Sequence, residues 1–170
     1  RMLMALSGKE QPRGDIHKYL QQQIFGEQDY SKRSEFKERL FAWLYNPNSG
    51  DTAFDNFFSR ETFRDFFAAK EKVLTTPFGR RLSVDERKAQ NYLLQSTTSD
   101  QVIENAYKIQ KMLKNKRSKI AFTLHDSIIL DMCQKDAIML KEIKSQFEQT
   151  RWGKFVSVCK IGKDFGNLKE

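Results

Sequence analysis

The stretch SKRSEFKERLFAWLY, residues 31–45, reads as one helix of about four turns. Arg33, Lys37, Phe41 and Tyr45 follow one another at strict four-residue steps. Residues i and i+4 of a helix lie one above the other, so the four share a stripe with two cations at one end and two aromatic rings at the other. Phe36, Leu40, Trp43 and Leu44 supply apolar surface for docking. Arginine suits phosphate through bidentate hydrogen bonds and lysine through point charge. An aromatic ring one turn further along can pack on a sugar or a base. The stripe therefore fits a nucleoside triphosphate. The same spacing also describes an ordinary amphipathic surface helix with solvated cations.

A second set at four-residue steps, Arg87, Asn91 and Gln95, falls on the longest helical stretch, Ser83–Lys114, where Ser83 and Glu86 fit a capping box. Polar side chains in one row can follow the sugar-phosphate track or the minor groove of a duplex, or simply face water. The segment KIAFTLHDSIILDM, residues 119–132, has β-type residues around a polar pair and reads as two strands joined at His125-Asp126-Ser127. A carboxylate in a tight turn between apolar strands needs a partner. A divalent metal would serve, as would local amides. Asp131 is expected at an exposed strand end.

Together these elements resemble the DNA polymerase I family, the family A DNA polymerases. Arg-x3-Lys-x3-Phe-x3-Tyr is similar to its fingers helix, Arg-x3-Asn-x3-Gln to its primer-template stripe, and His-Asp to the palm hairpin whose Asp binds the catalytic metals. The resemblance implies that Arg33 and Lys37 hold the incoming triphosphate, with Lys37 also catalytic. It implies that Phe41 contacts the sugar and that Tyr45 stacks near the templating base. The triplet Asp15-Ile16-His17 resembles an element in which the His reaches the phosphate tail. TTPFGRRL resembles the family's T-x-x-GRR element, placing Arg80 and Arg81 for backbone phosphates. Arg87, Asn91, Gln95 and His125 are further implied DNA contacts, and Asp126 is the implied catalytic ligand of a two-Mg2+ site. Asp100 is expected to be structural. The family carries Gly after the Tyr, where this chain has Asn46 and Pro47, and its usual Glu after His-Asp is Ser127 here.

The implied fold is α+β, with mostly helical fingers followed by a palm containing a small antiparallel sheet. Residues 1–14 would end an upstream palm element, 15–70 form the fingers, and 71–170 complete the fingers and the C-terminal palm. The implied activity is DNA-directed DNA polymerisation from dNTPs on primer-template DNA. The family's other metal-binding Asp falls upstream of the position matching Arg1. The chain is therefore expected to be a fragment of a phage-like member, needing upstream palm and thumb, in the cytoplasm of a bacterial or phage-infected cell. Two other readings stand beside this one. Ser127 fits a single-subunit, phage-type RNA polymerase, and the charge fits a non-enzymatic basic nucleic-acid-binding module.

Composition agrees with a polyanionic partner. Lys plus Arg number 30 against 22 acidic residues, a net charge of +8, and 39% of residues are hydrophobic, enough for a folded core. No apolar run approaches the ~20 residues that span a bilayer, so no membrane is expected. Cys133 and Cys159 lack metal-ligand spacing and read as buried free thiols. Elsewhere the pattern predicts a strand end leading into a helical turn over Arg1–Gly8. A helix capped by Asp15 and stopped by Gly26 should follow the loop 9–14. One or two Phe-rich helices are expected over Phe54–Phe67, a strand and turn over Lys72–Leu82, a helix over Gln134–Gln149, and a last strand over Phe155–Ile161.

Overall fold

The computed structural model describes residues 1–26, 30–46 and 48–169. Pro47, one of the two residues that stand after Tyr45, and residues 27–29 before Arg33 lie outside the described residues. The chain forms two compact units, residues 1–100 and 101–170.

The first unit opens on α1 (Met2–Leu6), all five residues of which are buried. The strand end expected here is absent. A short apolar run has no period to separate strand from helix, and burial on every side accommodates one turn of helix. Helix α2 (Ile16–Phe25) begins where Asp15 accepts hydrogen bonds from the His17 and Lys18 N–H groups at 2.8 and 3.1 Å. It stops at Gly26, which takes the left-handed conformation that a side chain would resist (φ 69°).

Helix α3 (Arg33–Tyr45) is preceded by a 3-10 turn and buries Phe36, Leu40, Trp43 and Leu44, the face expected to dock. Two short Phe-rich helices follow, α4 (Thr52–Phe57) and α5 (Glu61–Arg64). Trp43 is 1% exposed, and its ring lies 5.7 Å from those of both Phe54 and Phe58. Phe25 and Phe36 extend this aromatic cluster, each 5.7 Å from Phe54. The one polar atom of the Trp43 side chain is satisfied, since Nε1 donates to Asp55 Oδ1 at 2.8 Å. Arg60 closes the socket. It donates to Asp55 and to the Trp43 carbonyl, and its guanidinium sits 4.5 Å over the indole. The Trp43 N–H, then Arg60 working against partial burial, hold the Asp55 carboxyl below its ordinary range.

Strands β1 (Phe67–Ala68), β2 (Val73–Thr75) and β3 (Arg81–Ser83) make an antiparallel sheet in chain order. Ser83 pairs with Val73 in this sheet, and helix α6 (Glu86–Met112) starts three residues later. The capping box expected of Ser83 and Glu86 does not form, because the helix starts at Glu86 itself, leaving Ser83 in the strand two residues short of the capping position.

In the second unit, Ile109 and Leu113 pack with Ile143 under the hairpin of β4 (Lys119–Leu124) and β5 (Ser127–Asp131), which adds Ile120, Ile128 and Leu130. The hairpin base is pinned by Asp136, which accepts from the Arg117 and Ser118 N–H groups and the Ser118 hydroxyl at 2.9–3.0 Å. Where Asp136 is drawn to these donors the chain winds as a tight 3-10 turn, Gln134–Met139. Regular helix α7 occupies only Leu140–Glu148, shorter than expected, and Ile138 stands 90% exposed rather than on an apolar face. Buried Asn105 donates to the Phe147 and Gln149 carbonyls, tying α6 to the end of α7.

Strands β6 (Gln149–Thr150) and β7 (Gly153–Lys154) form a small hairpin, but residues 155–160 form no strand. Their alternating burial reports one-sided packing, whereas the backbone turns to Glu148: Phe155 N–H donates to its carbonyl and Ser157 N–H to its carboxylate. Both cysteines are free, Cys133 half-buried and Cys159 exposed, so the expectation of two buried thiols is corrected. No described helix is long and apolar enough to cross a membrane.

Two stability measurements follow. Trp43→Ala should cost about 3–5 kcal/mol in urea unfolding, the range for emptying a large aromatic site, whereas Tyr45→Ala, at a half-exposed position, should cost less than about 1. Equal losses would show that the cluster is not what fixes α3. Burial alone would raise the Glu148 carboxyl, but Lys144, the Ser157 N–H and Lys154 outweigh it and bring the pKa from 4.5 to about 2. A depressed carboxylate stabilises the fold fully above its unfolded pKa and loses that contribution as protons bind the folded form. Stability should therefore fall as pH drops from 4.5 through about 2, and Glu148→Gln should flatten that part of the acid unfolding curve.

Candidate nucleotide and nucleic-acid site

The stripe on α3 faces outward because its neighbours face inward. With Phe36, Leu40, Trp43 and Leu44 in the core, the i, i+4 row of Arg33, Lys37, Phe41 and Tyr45 lies on the open side. Its members touch in sequence. Lys37 Nζ is 5.4 Å from the Phe41 ring centre, and the Phe41 and Tyr45 rings are 5.7 Å apart at 31°, a tilted, near-parallel stack. Tyr45 is 50% exposed, so its ring is open to a further flat partner.

Asp15 joins α2 to this row. Besides capping α2, its carboxylate receives Arg33 Nε at 3.2 Å and Nη2 at 3.1 Å. Burial would raise Asp15, but the Lys18 and His17 N–H groups and then Arg33 hold it below the usual range. His17 lies beside the same cations. Burial lowers its pKa most, Arg33 and Lys37 lower it further, and Asp15 opposes them. Its ring stands edge-on to Phe36, 6.4 Å centre to centre, and Nδ1 is buried with no hydrogen-bond partner. His17, Arg33 and Lys37 thus share one positive field in which, among the described residues, Asp15 supplies the carboxylate. Asp15 as the Arg33 partner escapes sequence reading, because capping already accounts for an Asp at that position and nothing periodic links residues 15 and 33.

The other residues singled out in the first unit are arranged differently. Arg80 is ion-paired with Asp100, whose carboxylate also accepts from the Thr76 hydroxyl at 3.3 Å. The same Thr76 oxygen accepts from the Phe78 and Arg80 N–H groups, fixing the turn between β2 and β3. Asp100 is therefore a scaffold for this turn. Arg81 is exposed and reaches Glu71 at 3.5 Å. On α6, Arg87 and Gln95 are exposed and Asn91 is half-buried, with Asn91 Oδ1 buried and unpartnered.

In the second unit His125 and Asp126 are the two turn residues between β4 and β5, with Leu124 paired to Ser127. Both are exposed, and His125 takes a left-handed φ of 52°. The Ser127 hydroxyl donates to the Leu124 carbonyl at 2.7 Å, closing the turn. Asp126 is not buried, so the desolvation cost expected of a carboxylate between apolar strands does not arise. Among the described residues no hydrogen bond or ion pair engages it. No three His, Cys, Asp or Glu side chains gather to hold a metal there or elsewhere among the described residues. An open carboxylate suits one ligand of a hard cation. A two-metal site needs a further acid.

No family model matches this chain, and no curated protein matches it by sequence. Among solved structures, the POL domain of Pol1 from M. smegmatis, in complex with DNA primer-template and dNTP, matches with a TM-score of 0.67 at 17% identity. The match covers 86% of this chain and 34% of that one. The fold is that of part of a polymerase domain. The α+β architecture expected from the sequence, largely helical with small antiparallel sheets, is thereby shown.

The two histidines of the chain make the field around α3 measurable. In a proton NMR titration Asp15→Asn should lower the His17 pKa, since its one raising neighbour is lost, and Lys37→Gln should raise it. A His17 pKa indifferent to both changes would separate it from the Arg33 and Lys37 cations.

Proposed function

We propose that the chain is the fingers (residues 15–70), the remainder of the fingers and the C-terminal palm (71–170) of a DNA-directed DNA polymerase of the polymerase I family. The observation that carries this reading is the row Arg33–Lys37–Phe41–Tyr45, with Lys37 and Tyr45 exposed and Arg33 and Phe41 half-buried, and His17 in the same positive field. Its order, cations first and stacked rings after, matches the order of phosphates, sugar and base in a dNTP. The fold match to a polymerase domain supports the reading without reaching the residues.

Arg33 and Lys37 bind the triphosphate, with Asp15 holding the Arg33 guanidinium in a set direction. His17, kept neutral by burial and by both cations, donates a hydrogen bond to a phosphate oxygen. Phe41 packs on the sugar and Tyr45 beside the templating base. Arg81, Arg87, Asn91 and Gln95 line the primer-template DNA; Arg80, already paired with Asp100, contributes through the turn it fixes. His125 sits beside Asp126 on the hairpin tip as a further DNA contact. Asp126 would hold Mg2+, which when bound supplies neutralisation of phosphate charge. The second acid would come from an upstream palm, in keeping with the 34% of the matched chain that this one spans. The reaction is attack of the primer 3′-hydroxyl on the α-phosphate, with pyrophosphate leaving; this chain positions and neutralises.

Primer extension with Mg2+ and dNTPs tests the reading, using this chain with and without an upstream palm and thumb segment. Incorporation should need both pieces and be lost in Asp126→Asn. Lys37→Gln should lower it about 100-fold or more, the usual scale for removing a charge that stabilises the transition state. Preference for rNTPs over dNTPs would favour the phage-type RNA polymerase, to which Ser127 points. DNA binding that ignores nucleotide, primer end and Asp126 would leave only a basic binding module.

A further inference from the structure

The second unit carries a cationic and aromatic surface that the polymerase reading leaves unused. Ile103, Tyr107, Lys111 and Lys114 follow at helical spacing on and just beyond the last turns of α6, so they share one face. Ile103 is 51% exposed and Tyr107 61%. Lys111 Nζ lies 4.2 Å over one face of the Tyr107 ring. After Met112 the chain turns through Asn115, whose φ is 65°, and presents Lys114, Lys116 and Arg117, all exposed. Among the described residues no ion pair engages these three cations. The neighbouring carboxylates bond elsewhere: Glu104 holds Lys108 and Arg151, and Asp136 accepts from the Arg117 and Ser118 N–H groups and the Ser118 hydroxyl, with Lys116 acting on it through charge alone.

An exposed aromatic ring edged by unpaired cations is the chemistry that binds single strands, in which bases stack on rings while phosphates meet charge. A duplex hides its base faces, so an open Tyr ring adds little there. An anionic membrane would use the cations but would favour a broad apolar face, and here Ile103 and Tyr107 lie on a row that ends in charge. We propose that this face, from Ile103 to Arg117, binds single-stranded nucleic acid through Tyr107 stacking and through Lys111, Lys114, Lys116 and Arg117 phosphate contacts. It goes beyond the polymerase reading and stands whether or not the row on α3 binds dNTP.

The test is fluorescence anisotropy of the full chain with a labelled oligothymidylate of about 20 nucleotides, measured across a salt series. The triple variant Lys114→Gln/Lys116→Gln/Arg117→Gln should bind about tenfold more weakly, and its salt slope should shrink by about 2, the value for three lost single-strand contacts. The charge-matched control Lys70→Gln/Lys88→Gln/Lys163→Gln should bind within about threefold of the parent. Tyr107→Ala should lose about fivefold or more against oligothymidylate and nothing against an abasic oligomer of the same length. Far-ultraviolet circular dichroism and urea unfolding of each variant confirm folding. Equal losses in the two triple variants would overturn the proposal in favour of net charge. So would a Tyr107→Ala chain that holds oligothymidylate as tightly as the parent. So would a patch triple that loses only binding to phosphatidylserine-containing vesicles.

Discussion

The first unit depends on how Trp43 is seated. Its indole is enclosed by Phe54 and Phe58, its N–H is spent on Asp55, and Arg60 lies over its ring while bonding its carbonyl. A large aromatic with a polar handle fits such a socket in essentially one orientation, because rotation would leave a buried N–H unpaired. Fixing Trp43 fixes the roll of α3. On a helix with one side held in this way, the residues on the other side are held as well. The row from Arg33 to Tyr45 owes its outward direction to the aromatic cluster behind it.

Electrostatics then sets the character of that row. Three groups that could be positive, His17, Arg33 and Lys37, lie close enough to influence one another, with Asp15 the carboxylate among the described residues that opposes them. His17 yields first, since it is buried and has the lowest intrinsic basicity of the three. What remains is two permanent cations and a neutral imidazole, a combination that receives an anion without a large opposing reorganisation. Asp15 prevents the Arg33 guanidinium from wandering and leaves Lys37 unrestrained beside Phe41.

Helical features were the most readable in the sequence. The four-residue spacing of α3, the Asp15 cap, the Gly26 stop and the hairpin turn at His125-Asp126 all stand where local chemistry puts them, because each is decided within a few residues. Expectations failed where distant residues decide. Ser83 carries the signature of a cap but is held by Val73 in a sheet. Residues 155–158 alternate like a strand, yet the Phe155 and Ser157 N–H groups go to Glu148. The helix expected from Gln134 gives way to a tight turn where Asp136 reaches back to Ser118, and Ile138 is left in solvent. In the candidate site the stripe was legible from spacing, and the role proposed for it comes from resemblance. The Asp15–Arg33 and Arg80–Asp100 pairs were not, since ion pairs across 18 and 20 residues leave no period in the sequence.

The hairpin tip carries a backbone cost. His125 occupies left-handed backbone, where a side chain other than Gly gives up about 1 kcal/mol. A sequence shaped only for folding would put Gly or Asn there and gain a firmer turn. The hairpin is thus closed against a local backbone preference: the β4–β5 ladder and the Ser127 hydroxyl hold His125 where its own conformational energy would not.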